Sequence, residues 1–231
     1  MRLLRITGLA LLALFLCSTL VTTSALADQL YITYASNNPG NGGGAFAVSQ
    51  VSGGLLAGTT FNTFCLEENE YFVPGNNYTY VTNTAAVLGG NGGPSDPISI
   101  GTAYLYDKFL NEGGNYSAAD QKALQEAIWF LEDETTQCTG DCRTVLNLAE
   151  AALNGKTDEQ MKANADGAYG VVALNLTNGP ACPGVGNNCQ DMLGRVPEAG
   201  ATLLLSMSLA GLAWVAYRKK LLPSGARPLS V

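Results

Sequence analysis

Two short runs carry the residue types from which chemistry could be made. One is Phe64-Cys65-Leu66-Glu67, and the other is Leu124-Gln125-Glu126-Ala127-Ile128-Trp129. A glutamine amide is a poor electrophile in water. A thiolate pressed against it in a partly buried, preorganised site gains effective molarity, which lowers a barrier by roughly 7–11 kcal/mol. The acyl–sulfur bond that results survives only where bulk water is kept away. Singly, each residue has a plainer use: cysteine packs as a small hydrophobe, glutamine suits a helix surface, and tryptophan fills core. The cysteine count sets Cys65 apart. The chain has six cysteines, and Cys17 lies in an N-terminal segment expected to be removed. Cys65, Cys138, Cys142, Cys182 and Cys189 remain. In an oxidising compartment cysteines pair. Joining Cys138 to Cys142 and Cys182 to Cys189 closes two short, turn-rich loops, the simplest of the three pairings that four cysteines allow. Zinc held by these four is the rival, but the spacings lack two CxxC knuckles. Cys65 is left over.

Strands come first along the chain. Leu30 to Tyr34 alternates, Ala45 to Val51 and Thr60 to Leu66 read as strands, and Tyr78 to Thr82 follows the Pro74-Gly75-Asn76-Asn77 turn. Helices occupy the middle. Ile100 to Leu110 stops at Gly113-Gly114. Ser117 to Glu134 is the clearest, with Ser117 as N-cap and a stripe of Ala123, Leu124, Ala127, Ile128 and Leu131. Arg143 to Leu153 and a short helix opening at Thr157 come next. Gly170 to Leu176 is a late apolar strand. Strands, then helices, then a strand predict an α+β fold: an antiparallel β-sheet or sandwich with an inserted helical lobe, plus a C-terminal transmembrane helix.

The ends predict export. Arg2 and Arg5 precede an apolar run from Leu9 to Leu16, and Ala25-Leu26-Ala27 follows. This is the pattern of a secretory signal peptide over 1–27, with the mature chain starting at Asp28. An exported domain follows over 28–195. Between Asp28 and Glu198 six Lys and Arg face nineteen Asp and Glu, a net charge of −13. Such a surface repels phosphate backbones, so no nucleic acid is expected as partner. There is no histidine, which removes Ser-His-Asp and Cys-His catalysis and His-based metal sites. Glu132-Asp133-Glu134 with Asp141, and Glu67, Glu68 and Glu70, are two acidic clusters without the regular ligand spacing of a calcium loop. No metal, cofactor or catalytic residue is expected.

At the other end Val196-Pro197-Glu198 precedes an uncharged apolar stretch to Tyr217 and then Arg218-Lys219-Lys220. At about 1.5 Å per residue the stretch spans a hydrocarbon core of roughly 30 Å. The basic cluster acts as a membrane stop on the cytoplasmic side, with 221–231 as a cytoplasmic tail. Over 196–220 this resembles a PEP-CTERM sorting signal, although Ala199 stands where that family has a second proline. The resemblance implies an exosortase-type processing enzyme of a Gram-negative bacterium as partner. It also implies anchoring in the inner membrane during sorting, then the cell surface or secretion.

From about Thr60 to Leu176 the two runs, in their order, resemble the thioester domains of bacterial surface adhesins. In that family an aromatic-Cys-aliphatic strand meets a Gln-x-Ala-Ile-Trp helix. The resemblance implies that Cys65 donates the sulfur and Gln125 the acyl group of an internal thioester, with Phe64, Tyr104 and Trp129 available as apolar shielding. It implies covalent adhesion, without enzymatic turnover, to an amine- or hydroxyl-bearing surface polymer or protein. A non-covalent structural or binding component of the extracellular polysaccharide matrix, with the same fold and no bond, is the other expectation.

Overall fold

The computed structural model describes residues 27–40, 43–87, 96–180, 182, 188–197 and 214. All of the expected signal peptide except Ala27 lies outside the described residues. So do Glu198, Arg218, Lys219, Lys220 and all of the apolar tail except Trp214. Among the described residues no helix is long and apolar enough to cross a membrane.

The expected alternation builds the first strands. In β1 (Gln29–Tyr34) Leu30 and Ile32 point inward. β2 (Phe46–Ser52) buries Phe46, Val48 and Val51, and β4 (Asn76–Asn83) buries Tyr78 and Tyr80. β3 is only Phe61–Thr63, so the strand expected over Thr60 to Leu66 changes partner before it reaches Cys65. β5 (Ala85–Ala86) and β6 (Asp96–Pro97) make a small separate pair. Four helices follow: α1 (Ile100–Asn111), α2 (Ala118–Leu131), α3 (Asp141–Ala152) and the short α4 (Asp158–Met161). Ser99, Ser117 and Thr157 cap α1, α2 and α4 by accepting backbone N–H bonds. The late strand β7 (Val171–Thr177) is present, and it buries residues on both faces because helices cover one of them.

One element departs from expectation. Asn188–Arg195 forms an eighth strand, β8. All neighbours in the six-stranded sheet are antiparallel, in the order β3-β2-β1-β4-β7-β8. The sheet curls until its two ends meet. Leu66 N–H donates to the Asp191 carbonyl (2.9 Å), Leu193 N–H donates to the Phe64 carbonyl (3.1 Å), and Cys65 faces Met192 in an isolated bridge. Rather than a two-layer sandwich, the architecture is therefore a mixed one, with a nearly closed antiparallel sheet and a helical layer against it.

Two cores result. Inside the curl lie Leu30, Ile32, Val48, Leu56, Tyr78, Tyr80 and Met192, joined by Cys65. Between sheet and helices lie Phe64, Phe109, Leu124, Ile128, Leu146 and Leu193. Residues 64 and 65 thus face opposite cores, as successive positions of an extended chain must. The disulfides are Cys138–Cys142, strapped across the start of α3, and Cys182–Cys189, tying the loop before β8 to that strand.

Leu193 is fully buried in the helix-side core. Replacing it by Ala should cost about 2–5 kcal/mol in urea unfolding of the segment 28–198. An unchanged unfolding midpoint would remove β8 from the core.

Candidate functional site

Cys65 is positioned by the seam that closes the sheet. The hydrogen bonds from Leu66 to Asp191 and from Leu193 to Phe64 leave the N–H and C=O of Cys65 itself pointing away from β8. Among the described residues no strand lies on that side. The Gln125 carboxamide, from the middle of α2, takes the place of one: Cys65 N–H donates to Oε1 (3.1 Å) and Nε2 donates to the Cys65 carbonyl (2.8 Å). Gln125 is fully buried and Cys65 nearly so. Among the described residues Cys65 is the one cysteine outside a disulfide. Neighbouring backbone groups are also tied down. Gln190 Nε2 donates to the Glu67 carbonyl (2.7 Å), and Glu68 N–H donates to Glu134 (3.2 Å).

Gln125 reaches Cys65 past Gly43. A Cβ built on Gly43 would stand 2.5 Å from Gln125 Cγ and 3.1 Å from the Trp129 ring, and its φ of +96° suits glycine alone. One turn earlier on the same helix face, buried Gln121 does something similar to a different segment. Its Oε1 accepts from Ala45 N–H (3.0 Å), and its Nε2 donates to Ser36 and Tyr116 carbonyls (2.9 and 3.0 Å). The two amides at i and i+4 pin the turn before β2 and the seam beside it.

The three residues expected to shield the pair fall in different places. Trp129 lines the cleft over Cys65, and its indole N–H is buried without an acceptor among the described residues. Phe64 turns into the helix-side core against Phe109, with ring centroids 4.9 Å apart. Tyr104 packs on Tyr169 at 6.0 Å and does not line that cleft. Tyr34, Phe46, Tyr71 and Phe72 line it instead.

This cleft measures about 360 Å³ and is also lined by Glu67, Glu68 and Glu70, with no Lys or Arg in its wall. Burial pushes the Cys65 thiol far above its ordinary value. A standing thiolate needs positive surroundings, and the described residues of this wall supply none. A larger groove of about 600 Å³ runs beside β2, β3 and Arg195, and among the described residues no cysteine or carboxylate lines it.

Folding merges the two acidic clusters and redistributes them. Asp133 pairs with Lys162, and Asp141 opens α3. Buried Glu132 accepts from Ser99 N–H (3.2 Å). Glu134 comes within 4.8 Å of Glu67 and Asp96, counting one ligand atom from each; this gathering of carboxylates does not by itself specify an ion. Of the tail residues, Val196 N–H donates to the Gly170 carbonyl (2.9 Å) and Pro197 is exposed. Gln190, Gly43, Gln121 and the second set of aromatics were not anticipated. Gly43 and the tyrosines sit in turn-like or strand-like text, where nothing marks them as neighbours of Cys65.

No protein-family model, curated protein or solved structure matches this chain.

Four carboxyls hold their protons unusually late. Burial pushes Glu132 up to about 7. Burial, with Asp191 and then Glu134 nearby, pushes Glu70 up to about 7. Burial raises Asp191 to about 6, and burial beside Glu134 and Asp133 raises Asp96 to about 6. Each binds a proton more tightly folded than unfolded, so stability falls as pH rises from the ordinary carboxylate range through these values. The thermal midpoint should therefore climb between about pH 8 and about pH 5. A midpoint that drops over that interval would contradict the assigned burial.

Proposed function

We propose that this chain is an exported surface or matrix protein that attaches covalently to a partner through an internal thioester between Cys65 and Gln125. The observation that carries this reading is the pairing of the Gln125 carboxamide with the backbone of the one described cysteine left outside a disulfide. The donor on Oε1 is the backbone N–H of the attacking residue, the kind of preorganised hydrogen bond that stabilises a developing oxyanion. Cys65 Sγ adds to the Gln125 side-chain carbonyl carbon, the thiol proton passes to Nε2, the C–N bond breaks, and ammonia leaves. Atoms and charge balance with no co-reactant.

Burial then has two consequences. It disfavours the thiolate as leaving group, which slows hydrolysis, and it keeps water from the acyl carbon. A nucleophile entering the aromatic cleft attacks that carbon, Cys65 departs as a thiol, and Gln125 stays bonded to the partner. The reaction is stoichiometric rather than catalytic. In this reading export depends on the N-terminal signal peptide. The sorting tail with Val196, Pro197 and Glu198 engages an exosortase-type enzyme at the inner membrane, and the domain reaches the cell surface or the extracellular matrix. Amine- or hydroxyl-bearing polymers and proteins are the partner class.

A second reading rests on Gln121. That residue makes similar bonds to backbone with no cysteine involved, which supports Gln125 as a purely structural clamp in a non-covalent matrix protein.

Thiol titration of the denatured, unreduced domain over 28–198 separates the two. The covalent reading expects no titratable thiol in the wild type, one after treatment with methylamine, and one from the outset in Gln125→Ala. A thiol that titrates in the wild type before any amine is added overturns it.

A further inference from the structure

The attachment chemistry leaves one step without an agent. An alkylamine at neutral pH is protonated and cannot attack a carbonyl until it gives up a proton. The chain has no histidine to take it. The cleft over Cys65 has no lysine in its wall, but it has Glu67, Glu68 and Glu70. Their situations differ. The Glu67 side chain is buried and drawn into the group with Asp96 and Glu134. Glu68 is exposed on the rim. Glu70 lies between: it is half-buried, and among the described residues its Oε2 is buried with no hydrogen-bond partner. A buried carboxylate oxygen without a donor is costly, and here it belongs to a residue of the cleft that holds the sulfur.

We propose that Glu70 is the general base of the attachment reaction, taking a proton from the incoming ammonium in the cleft above Cys65. The inference rests on the covalent reading above. The step balances. The ammonium transfers one proton to Glu70, and its nitrogen attacks the Gln125 acyl carbon. The carbon–sulfur bond breaks, a second proton passes from that nitrogen to the departing sulfur, and the Glu70 proton escapes to solvent. The products are a secondary amide and the Cys65 thiol. Glu70 is suited to this because its carboxyl, at about 7, is poised near the working pH. The charged groups that act on it are Asp191 on β8 and Glu134 after α2; both are acidic and raise its basicity, and with Glu67 and Glu68 in the same wall the cleft draws a cation in. The aromatic wall of Tyr34, Phe46, Tyr71, Phe72 and Trp129 suits the alkyl stem and the cationic head of such a nucleophile.

The experiment follows thiol release from the full exported domain with methylamine and with hydroxylamine as probes, in the wild type and in Glu70→Gln. Methylamine is protonated at neutral pH, whereas hydroxylamine is already neutral. The account expects Glu70→Gln to slow opening by methylamine about 100-fold while hydroxylamine opens both proteins at rates within about threefold. A merely structural role would slow both probes alike. Equal methylamine rates in the two proteins overturn the role of Glu70 and leave the thioester standing. A wild type with no masked thiol overturns the covalent reading itself. Should Glu70→Gln carry no thioester, the wild-type profile decides: a methylamine rate that inflects near pH 7 supports Glu70, and an unbroken rise through that region overturns it.

Discussion

A backbone N–H and C=O turned away from every neighbouring strand must find partners when they are buried, or each costs about 1–3 kcal/mol. At Cys65 both find the same one, the Gln125 carboxamide. Much of the site follows from that pairing. It requires α2 to lie across the seam of the sheet with residue 125 facing inward. It requires a glycine at 43, because a side chain there would collide with Gln125. It holds the carboxamide against the backbone of the residue that carries the free thiol, the juxtaposition that the proposed acyl transfer needs. Forming the thioester would remove Nε2 and leave the Cys65 carbonyl without that donor, so the bond would form against part of the local stability.

The electrostatics of the site act in the same direction. The segment from Asp28 to Glu198 carries a net charge of −13, and some of that charge is folded inward instead of being left in solvent. Glu70, Asp96, Glu132 and Asp191 are all raised by burial first. Such an environment is poor for a thiolate and good for a neutral thiol or a thioester. It also favours a cationic nucleophile over an anionic one. An acidic cleft with an aromatic wall above the Cys65 sulfur is therefore selective before any specific partner is considered.

Much of the fold was legible in the sequence. Alternation marked β1, β2 and β4, a continuous apolar run marked β7, and the apolar stripe with Ser117 as cap marked α2, because in these elements local pattern and tertiary environment agree. The last strand was not legible. Its centre is Gln190-Asp191, polar residues that are buried because Gln190 bonds the Glu67 carbonyl and Asp191 accepts from Val87 N–H. Its Gly194 is needed where Leu174 and Leu56 crowd the backbone. Polar partners from distant segments erased the alternation that would have announced it. Cys65 and Gln125 were legible as a pair through an odd cysteine and the residues around each. Their actual contact, side chain to backbone through the gap left by Gly43, depends on the closure of the sheet by that unread strand. Of the three residues expected to shield the pair, Trp129 lines the cleft, the alternation of the chain sends Phe64 to the opposite core, and Tyr104 packs on Tyr169.

The central claim is a covalent bond, and a bond has a mass. Intact mass of the purified segment from Asp28 to Glu198, unreduced, measures it directly. The account predicts a mass short by one ammonia after allowing for the two disulfides. Methylamine should then add in full, with the adduct on Gln125 and a new thiol on Cys65. A mass with every ammonia in place and no methylamine adduct would contradict it and reduce the Cys65–Gln125 pair to the clamp that Gln121 already is.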